Sequence, residues 1–374
     1  MQLSVIILNY NVRYFLEQCV LSVQKALEGI DGEIIVIDNA SSDESCEMMK
    51  AKFPQIKLIE NKDNLGFPKG NNIGVAQAKG EYVCILNPDT VVAEDTFFKI
   101  LNSQLVTRNS QLGIIGCKLI DGAGNFLPES KRGVPTPWVA FTKIFGLYKI
   151  SNYFGKYYAQ HLSENESGKV DILVGAFMVM KRELYLEIGG FDENCFMYSD
   201  DIDLSYLVLK SGKSNYYFHE TSVIHYKGES TVRDGAYMKR FREAMQFFYN
   251  KHFKKSWFFD VMMQVGSFVF SLLKKSQQKN EVRTIDEYIV FSRENLELNL
   301  SKKAIYLADF NQFVNQPQKN IEIIFDTTTF SFAEIITFMQ LNKSKNLSFK
   351  NYISSSNYLI GSNNSNDRGQ IILL

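Results

Sequence analysis

The sequence predicts an α/β fold, a mostly parallel sheet flanked by helices, and three observations predict it. Over roughly the first hundred residues, short runs rich in β-branched residues alternate with segments of helical spacing. These runs are apolar throughout, as in strands buried on both faces. Polar residues also recur at one end of them: Asn9, Asp38 and Asp89 each follow an apolar run. Ligands of parallel sheets bind outside the carboxyl ends of the strands, so three polar residues at that edge point to a binding site.

The elements follow in order. Leu3–Leu8 reads as a strand, and Val12–Leu27 as a helix with Phe15, Leu16, Cys19, Val20 and Val23 on one side. Ile34–Ile37 is a second strand, followed by "DNASSDES", a turn into a helix. Ile56–Ile59, Pro68–Lys79 and Tyr82–Leu86 then read as strand, helix and strand. Further on, "VDILVGAFMVMKRELYLEIGGFDE" is a strand and a short helix ending at Gly189-Gly190, and "FMYSDDIDLSYLVLKSG" a helix. "SNYYFHETSVIHYKG" suggests a hairpin and Asp234–Phe253 a helix.

Three domains are expected, at 1–250, 251–279 and 280–374. The middle one carries the nearly wholly apolar helix 256–273, bracketed by Lys251, Lys254 and Lys255 and by Lys274, Lys275 and Lys279. Asp260, Gln264, Ser267 and Ser271 form one narrow polar stripe on it. At about 1.5 Å per residue it barely reaches across a bilayer, so lying in the membrane interface suits it better than spanning. Packing against protein is the other reading. From about residue 280 the composition turns polar, and "AIYLADF" with "IEIIFDTTTFSFAEIITFMQLN" suggests a small α/β appendage.

Lys plus Arg equals Asp plus Glu at 41 each among 374 residues, so no global field favours nucleic acid. Between Glu129 and Glu164 the only charged side chains are basic, Lys131, Arg132, Lys143, Lys149 and Lys156, interleaved with aromatics. That stretch suits phosphates, sugars or a membrane surface, or is a solvated loop. The five cysteines are scattered, so a structural zinc site is not expected. The amino terminus has no basic n-region, and a reduced, cytoplasmic compartment is expected.

Four motifs carry chemistry. Asp38 closes a strand where Asp43 or Ser42 suits the cap of the next helix, which leaves its carboxylate for a nucleobase donor edge. "NLGFPKGNNIG" sets Gly66, Gly70, Asn71 and Asn72 around a helix start, where small residues admit a diphosphate or sugar. It has neither the G-x-G-x-x-G order nor a P-loop Lys-Ser/Thr. Asn87-Pro88-Asp89 puts an amide and a carboxylate on a rigid turn, as a plain turn or as ligands of a hard cation that bridges a diphosphate. In "YSDDIDLS", Ser199 suits an N-cap and Asp200, Asp201 and Asp203 a helix dipole; a carboxylate there could equally take a proton from an acceptor hydroxyl. His225 ends a strand, with Lys227, Ser230 and Arg233 behind it.

In this order, "VIILNYN", "IVIDNASSD", "NLGFPKGNNIG", "LNPDT", "GAFMVMKRELYLEIGGFDE", "YSDDIDLS" and "HYKGEST" resemble the family 2 glycosyltransferases, in particular a rhamnosyltransferase-like branch, over about residues 3 to 250. The resemblance implies a GT-A fold, a nucleotide-sugar donor, Mg²⁺ or Mn²⁺, and inversion at the anomeric carbon. By position, Asn9 and Asp38 would hold the nucleoside, and Asn64, Gly66 and Asn71 would line the donor pocket. Asp89 would bind the metal, with Asn87 where many members have the first Asp of a D-x-D motif. Asp201 would be the general base, Asp200 its partner, and His225 a metal or diphosphate contact. The implied acceptor is a glycan or a lipid-linked saccharide, met by a cytoplasmic protein at the inner face of the plasma membrane. A sugar-phosphate nucleotidyltransferase would want a Gly-rich basic loop where the chain reads "NYNVRYFLEQ". A non-catalytic carbohydrate-binding or scaffold protein is the remaining alternative.

Overall fold

In a computed structural model, the structure describes residues 1–136, 138–139, 142, 152–226, 235–253, 284–363 and 369–374. The first 91 residues follow the alternation read from the sequence: β1 (Leu3–Asn9), α1 (Arg13–Ala26), β2 (Gly32–Asp38), α2 (Ser45–Lys52), β3 (Lys57–Glu60), α3 (Gly66–Ala76), β4 (Tyr82–Leu86) and β5 (Thr90–Val91). Helices α4 (Thr96–Leu101) and α5 (Gln104–Arg108) lead to β6 (Leu112–Ile120). There follow β7 (Gly168–Val170), β8 (Phe177–Lys181), the helices Arg182–Glu187 and Asp200–Lys210, β9 (Ser214–His225) and the helix Gly235–His252.

The first sheet runs β3-β2-β1-β4-β8-β6-β9-β5, with β7 beside β9. Strands β3, β2, β1 and β4 are parallel, while β8 joins β4 and β6 antiparallel. The continuous apolar runs follow from burial on both faces. Leu3, Val5 and Ile7 pack with α1 residues Leu16, Val20 and Val23, and Ile6 and Leu8 pack on the opposite side with Val75 of α3 and Leu204 and Val208.

The expected hairpin over 214–228 is instead, over its described part, one twelve-residue strand, β9, parallel to β6. Its turn-like middle, "HETS", has neither Gly nor Asn for the positive φ of a tight hairpin turn. The chain therefore runs on, and a register shift takes up the irregularity: Cys117 pairs with Phe218 and Lys118 with Ser222. The apolar helix 256–273, Lys227, Ser230 and Arg233, and residues 137, 140, 141 and 143–151 of the basic aromatic stretch lie outside the described residues. Among the described residues no helix is long and apolar enough to cross a membrane.

A second sheet follows: β10 (Glu287–Phe291), β11 (Ala304–Leu307), β12 (Ile321–Asp326), β13 (Leu347–Ile353), β14 (Tyr358–Gly361) and β15 (Gln370–Leu373), in the order β11-β10-β12-β13-β14-β15. The helix Phe332–Leu341 covers one face. Its Phe338 joins Phe291, Phe310, Phe325 and Phe349 in a ring cluster. This core runs directly into the first sheet, because Val12, Phe15, Val91, Ile120, Ile224 and Tyr226 belong to the same buried cluster.

Polar contacts fasten the join. The Glu94 carboxylate accepts the N–H groups of Phe332 and Ala333 at 2.8 and 2.9 Å, an anion seated on a helix amino terminus. Tyr358 donates to the Tyr14 carbonyl at 3.0 Å, and Lys25 to that of Thr327 at 2.8 Å. Glu17, fully buried on α1, accepts from Lys52 at 2.8 Å and from Ser355 and Ser356.

Phe15 stands at this junction, edge-on to Tyr226 at 5.2 Å. Phe15→Ala is expected to lower unfolding stability by about 3–5 kcal/mol, read from the urea midpoint by circular dichroism. A loss under about 1 kcal/mol would show that the two sheets do not depend on one core.

Candidate active site

Residues at the carboxyl ends of β1 and β2 meet first. Asn9 and Asp38 are register partners, both buried. Asn9 Nδ2 donates to Asp38 Oδ1 at 2.8 Å and to Ser41 Oγ at 3.1 Å, and the Ser41 N–H donates to Asp38 Oδ2 at 2.8 Å. Asp38 thus ties its own turn together, while a carboxylate still has lone pairs for further donors. Asp43 serves the helix starts instead, accepting from Ser45 Oγ at 2.5 Å and from the Arg13 N–H at 2.8 Å. The Asn9 Oδ1 atom is buried without a hydrogen-bond partner among the described residues.

An amide cluster joins this edge to α3. Asn39 accepts from Asn61 Nδ2 at 2.8 Å and donates to the Gly66 carbonyl at 3.1 Å and to Asn64 Oδ1 at 3.3 Å. Asn64 Oδ1 also takes the Gly66 N–H at 3.0 Å. Gly66 sits at φ +81°, and a Cβ there would stand 2.7 Å from the Phe196 carbonyl oxygen, so the position demands glycine. Asn71 bonds within its own helix, to the Phe67 carbonyl at 2.9 Å, and its buried Oδ1 has no partner among the described residues. Its neighbour Asn72 does the bridging, accepting from Tyr185 Oη at 2.6 Å and the Phe191 N–H at 3.1 Å. Sequence reasoning missed Asn39 and Asn61. Only the density of Asn on either side of β3 hinted at them.

Asn87, Asp89 and His225 converge because β5 is only two residues long and pairs Thr90 with His225. Asp89 Oδ1 and Asn87 Nδ2 each stand 3.4 Å from His225 Nε2. Asp89 and His225 are buried, and Asn87 Oδ1 and His225 Nδ1 have no hydrogen-bond partner among the described residues. A carboxylate, an amide oxygen left without a donor and an imidazole form a donor set that suits a small divalent cation. Among the described residues no three His, Cys, Asp or Glu side chains group as a metal site, so a cation here would need Asn87 as a ligand beside Asp89 and His225.

The acidic motif opens the helix Asp200–Lys210, and its three carboxylates part company. Asp201 Oδ2 accepts from Arg132 Nη2 at 2.5 Å and from the Gly175 N–H at 3.1 Å. Asp203, fully buried, accepts from His252 Nε2 at 2.5 Å and Lys251 Nζ at 2.8 Å, and Lys251 also pairs with Asp192 at 2.7 Å. Asp203 therefore anchors the helix Gly235–His252. Lys251, read from the sequence as a basic flank for a membrane helix, is held in this network.

Among the described residues Asp200 has no such cation of its own. Burial, then the charge of Asp201, push its carboxyl up to about 7, against the pull of backbone N–H groups and Arg132. A Cβ on Gly175 would lie 3.3 Å from Asp201 Cβ and 3.7 Å from Asp200 Oδ2, so both acids face one glycine. The next residue, Ala176, accepts the Asn87 N–H at 3.0 Å, which sets the acid pair beside the Asn87–Asp89 turn.

Lys131 and Arg132, read from the sequence as open to phosphates or a membrane, are buried and turned inward. Lys131 donates to the carbonyls of Tyr158, Ala159 and Leu162. Nothing in the spacing of "ESKRGVP" marks Arg132, which reaches Asp201 across 69 residues of sequence.

Because the folded carboxyl of Asp200 titrates above its ordinary 3.8, the folded state holds a proton there that the unfolded chain releases. Stability contributed by that proton is lost as pH rises through this window. Asp200→Asn is expected to raise the melting temperature at pH 8 more than at pH 5. An equal shift at both would refute the buried-carboxyl account.

Over residues 4–189 the sequence matches the family described as "Glycosyl transferase family 2". It is 26% identical over 245 residues to the N-acetylglucosaminyl-diphospho-decaprenol L-rhamnosyltransferase of Mycobacterium tuberculosis, covering 63% of this chain and 79% of that one. It is 28% identical over 174 residues to the Rhamnosyltransferase WbbL of Escherichia coli, covering 43% of this chain and 61% of that one. Among solved structures it is similar to the mannosyltransferase PcManGT from Pyrobaculum calidifontis in complex with GDP-Man and Mn²⁺, at 18% identity and a TM-score of 0.47, over 72% of this chain and 69% of that one. The family match spans β1 through the helix Arg182–Glu187, and so takes in Asn9, Asp38, Asn64, Gly66, Asn71, Asn87 and Asp89. The chain belongs to glycosyl transferase family 2, and it is similar to rhamnosyltransferases of that family.

Proposed function

We propose that this glycosyltransferase is inverting and metal-dependent, and that it moves a sugar from a nucleoside-diphosphate donor to a hydroxyl of a glycan or lipid-linked saccharide in cell-surface polysaccharide assembly. The convergence of Asp89, His225 and the undonated Asn87 Oδ1 beside a paired-acid helix start carries this reading. Asn9 and Asp38 hold the nucleoside, while Asn64, Gly66 and Asn71 line the donor pocket. Asn87, Asp89 and His225 hold Mg²⁺ or Mn²⁺. When bound, such a cation supplies positive charge against the departing diphosphate. The Asp200–Asp201 pair takes the proton of the acceptor hydroxyl as it attacks. One basic group on the acceptor side and one charge-bearing turn on the donor side suit a single displacement, hence inversion.

The acceptor class is drawn from the Mycobacterium tuberculosis relative, whose name specifies a decaprenol-diphosphate-linked substrate. A lipid-linked acceptor would bring the protein to the cytoplasmic face of a membrane, where its peripheral contact is part of this proposal.

The test is release of nucleoside diphosphate from a panel of nucleotide sugars with Mn²⁺ or Mg²⁺, with and without polyprenyl-diphosphate acceptors. Metal-dependent release from one donor is expected, reduced on the order of 10²–10⁴-fold by Asp89→Ala. Asn87→Asp adds a second carboxylate and is expected to tighten Mn²⁺ binding about tenfold by calorimetry. If no donor binds and none turns over, the chain is a scaffold on this fold and the proposal fails.

A further inference from the structure

Lys131 is a buried cation, 4% exposed, whose three ammonium protons meet three carbonyls: Tyr158 at 3.3 Å, Ala159 at 3.2 Å and Leu162 at 2.6 Å. Burying an ammonium costs stability unless its N–H groups are matched, and here every match is backbone of one segment. We propose that Lys131 is a positioning residue for the acceptor: it pins residues 155–162 beside the acid pair, where Tyr157 forms one wall of the acceptor site. The proposal rests on the transferase reading above and deepens it.

The pinning is built from the backbone outward. The short 3₁₀ helix Asn152–Tyr158 gives way at Ala159, which turns at φ +44°. The last carbonyls of a helix lack intrahelical partners, and a cation at that end satisfies them and meets the negative pole of the dipole. Lys131 does this from inside the protein. The residues after it complete the stitching. The Gly133 N–H donates to the Tyr157 carbonyl at 3.1 Å, and a Cβ on Gly133 would collide with the Lys156 carbonyl oxygen. Arg132 exchanges backbone hydrogen bonds with Ile172 at 2.9 Å, and the Val134 N–H donates to Asp171 Oδ2 at 3.1 Å. The strap 131–134 is thus sewn to residues 156–162 on one side and to the segment that leads to Gly175 on the other.

What the pinned segment carries to the site is Tyr157. Its hydroxyl bonds the Arg132 guanidinium, whose Nη2 also donates to Asp201 Oδ2 at 2.5 Å. One guanidinium is therefore shared between the acid pair and this half-buried ring. Tyr158 meets Tyr157 edge-on at 4.9 Å. An acceptor hydroxyl that gives its proton to the acid pair must come within hydrogen-bond reach of it, and so arrives beside Tyr157. An aromatic ring there offers a broad apolar face to the C–H groups of a sugar. The carbonyls that Lys131 holds follow Tyr157 directly in the chain, so losing the ammonium loosens the anchorage of the ring.

Two measurements test this on the full chain, in the parent, Lys131→Met and Tyr157→Ala. Met keeps the apolar stem of Lys and removes its donors. The first is hydrogen exchange of the Ala159, Gln160 and Leu162 amides, which bond within the segment. In Lys131→Met they should exchange on the order of 10-fold faster, while the amides of β1 and β4 stay as in the parent. The second is steady-state turnover with Mn²⁺, the donor that the panel identifies, and N-acetylglucosaminyl diphosphate on a short prenyl chain as acceptor. Both variants should raise the acceptor KM on the order of 10-fold or more, with donor affinity by calorimetry within about twofold of the parent. A lysine that served stability alone would leave the acceptor KM unmoved. Unchanged exchange in Lys131→Met, or an unchanged acceptor KM in Tyr157→Ala, would overturn the proposal. Should Lys131→Met not fold, Tyr157→Ala decides through the same KM. A parent that binds no donor strikes the transferase reading, and one that ignores this acceptor strikes its acceptor class. Either takes the acceptor role of Tyr157 with it, while faster exchange would still establish the pinning.

Discussion

The pairing of Thr90 with His225 is the joint on which the rest of the site depends. Two residues of β5 lie along the end of β9, and this alone brings Asp89 from the parallel half of the first sheet to His225 at its other edge. The pairing is too short to hold by its own hydrogen bonds. It is held from behind, where Val91 and Ile224 enter the core shared with the second sheet, and from inside, where Thr90 Oγ1 donates to the Asn87 carbonyl at 2.7 Å. The geometry of the turn is thus a product of packing on one side and side-chain bonding by Thr90 and Cys19 on the other.

Electrostatics arrange the opposite wall. Three acids within one helical turn would repel if left alike, and burial would make that worse. The fold resolves this by giving Asp201 a guanidinium and Asp203 an ammonium and an imidazole, while Asp200 meets backbone N–H groups and, among the described residues, no cation of its own. One local motif, uniform in sequence, becomes three different chemical groups because each faces a different element.

The alternating first half was legible because strand and helix there are set by local pattern: Leu3–Leu8 and Tyr82–Leu86 could be buried in no other way. The residues at the strand ends were legible for the same reason, since the carboxyl edge of a parallel sheet is fixed once the strands are. What escaped depends on contacts distant in sequence. The continuity of β9 is set by β6 running beside it, Arg132 acquires meaning only from Asp201, and Lys251 changes from a basic flank of the apolar helix to an ion-pair partner of the buried Asp203 once its own helix docks. The C-terminal residues read correctly as small strands and a helix, but no periodicity could show that Phe332–Leu341 packs against the first sheet or that Glu94 would sit on its amino terminus.

That docking also orders events in time. A chain emerging from the ribosome completes β1 to β9 before any of residues 287–360 exist, and domains generally fold as they are made. Until then Val12, Phe15, Val91, Ile224 and Tyr226 form an apolar face with nothing over it, on the side of the sheet that supports the Asp89 turn. The nascent protein therefore passes through a stage in which its first sheet has its topology but the Asp89 turn lacks its backing, and in which that uncovered apolar face is open to aggregation.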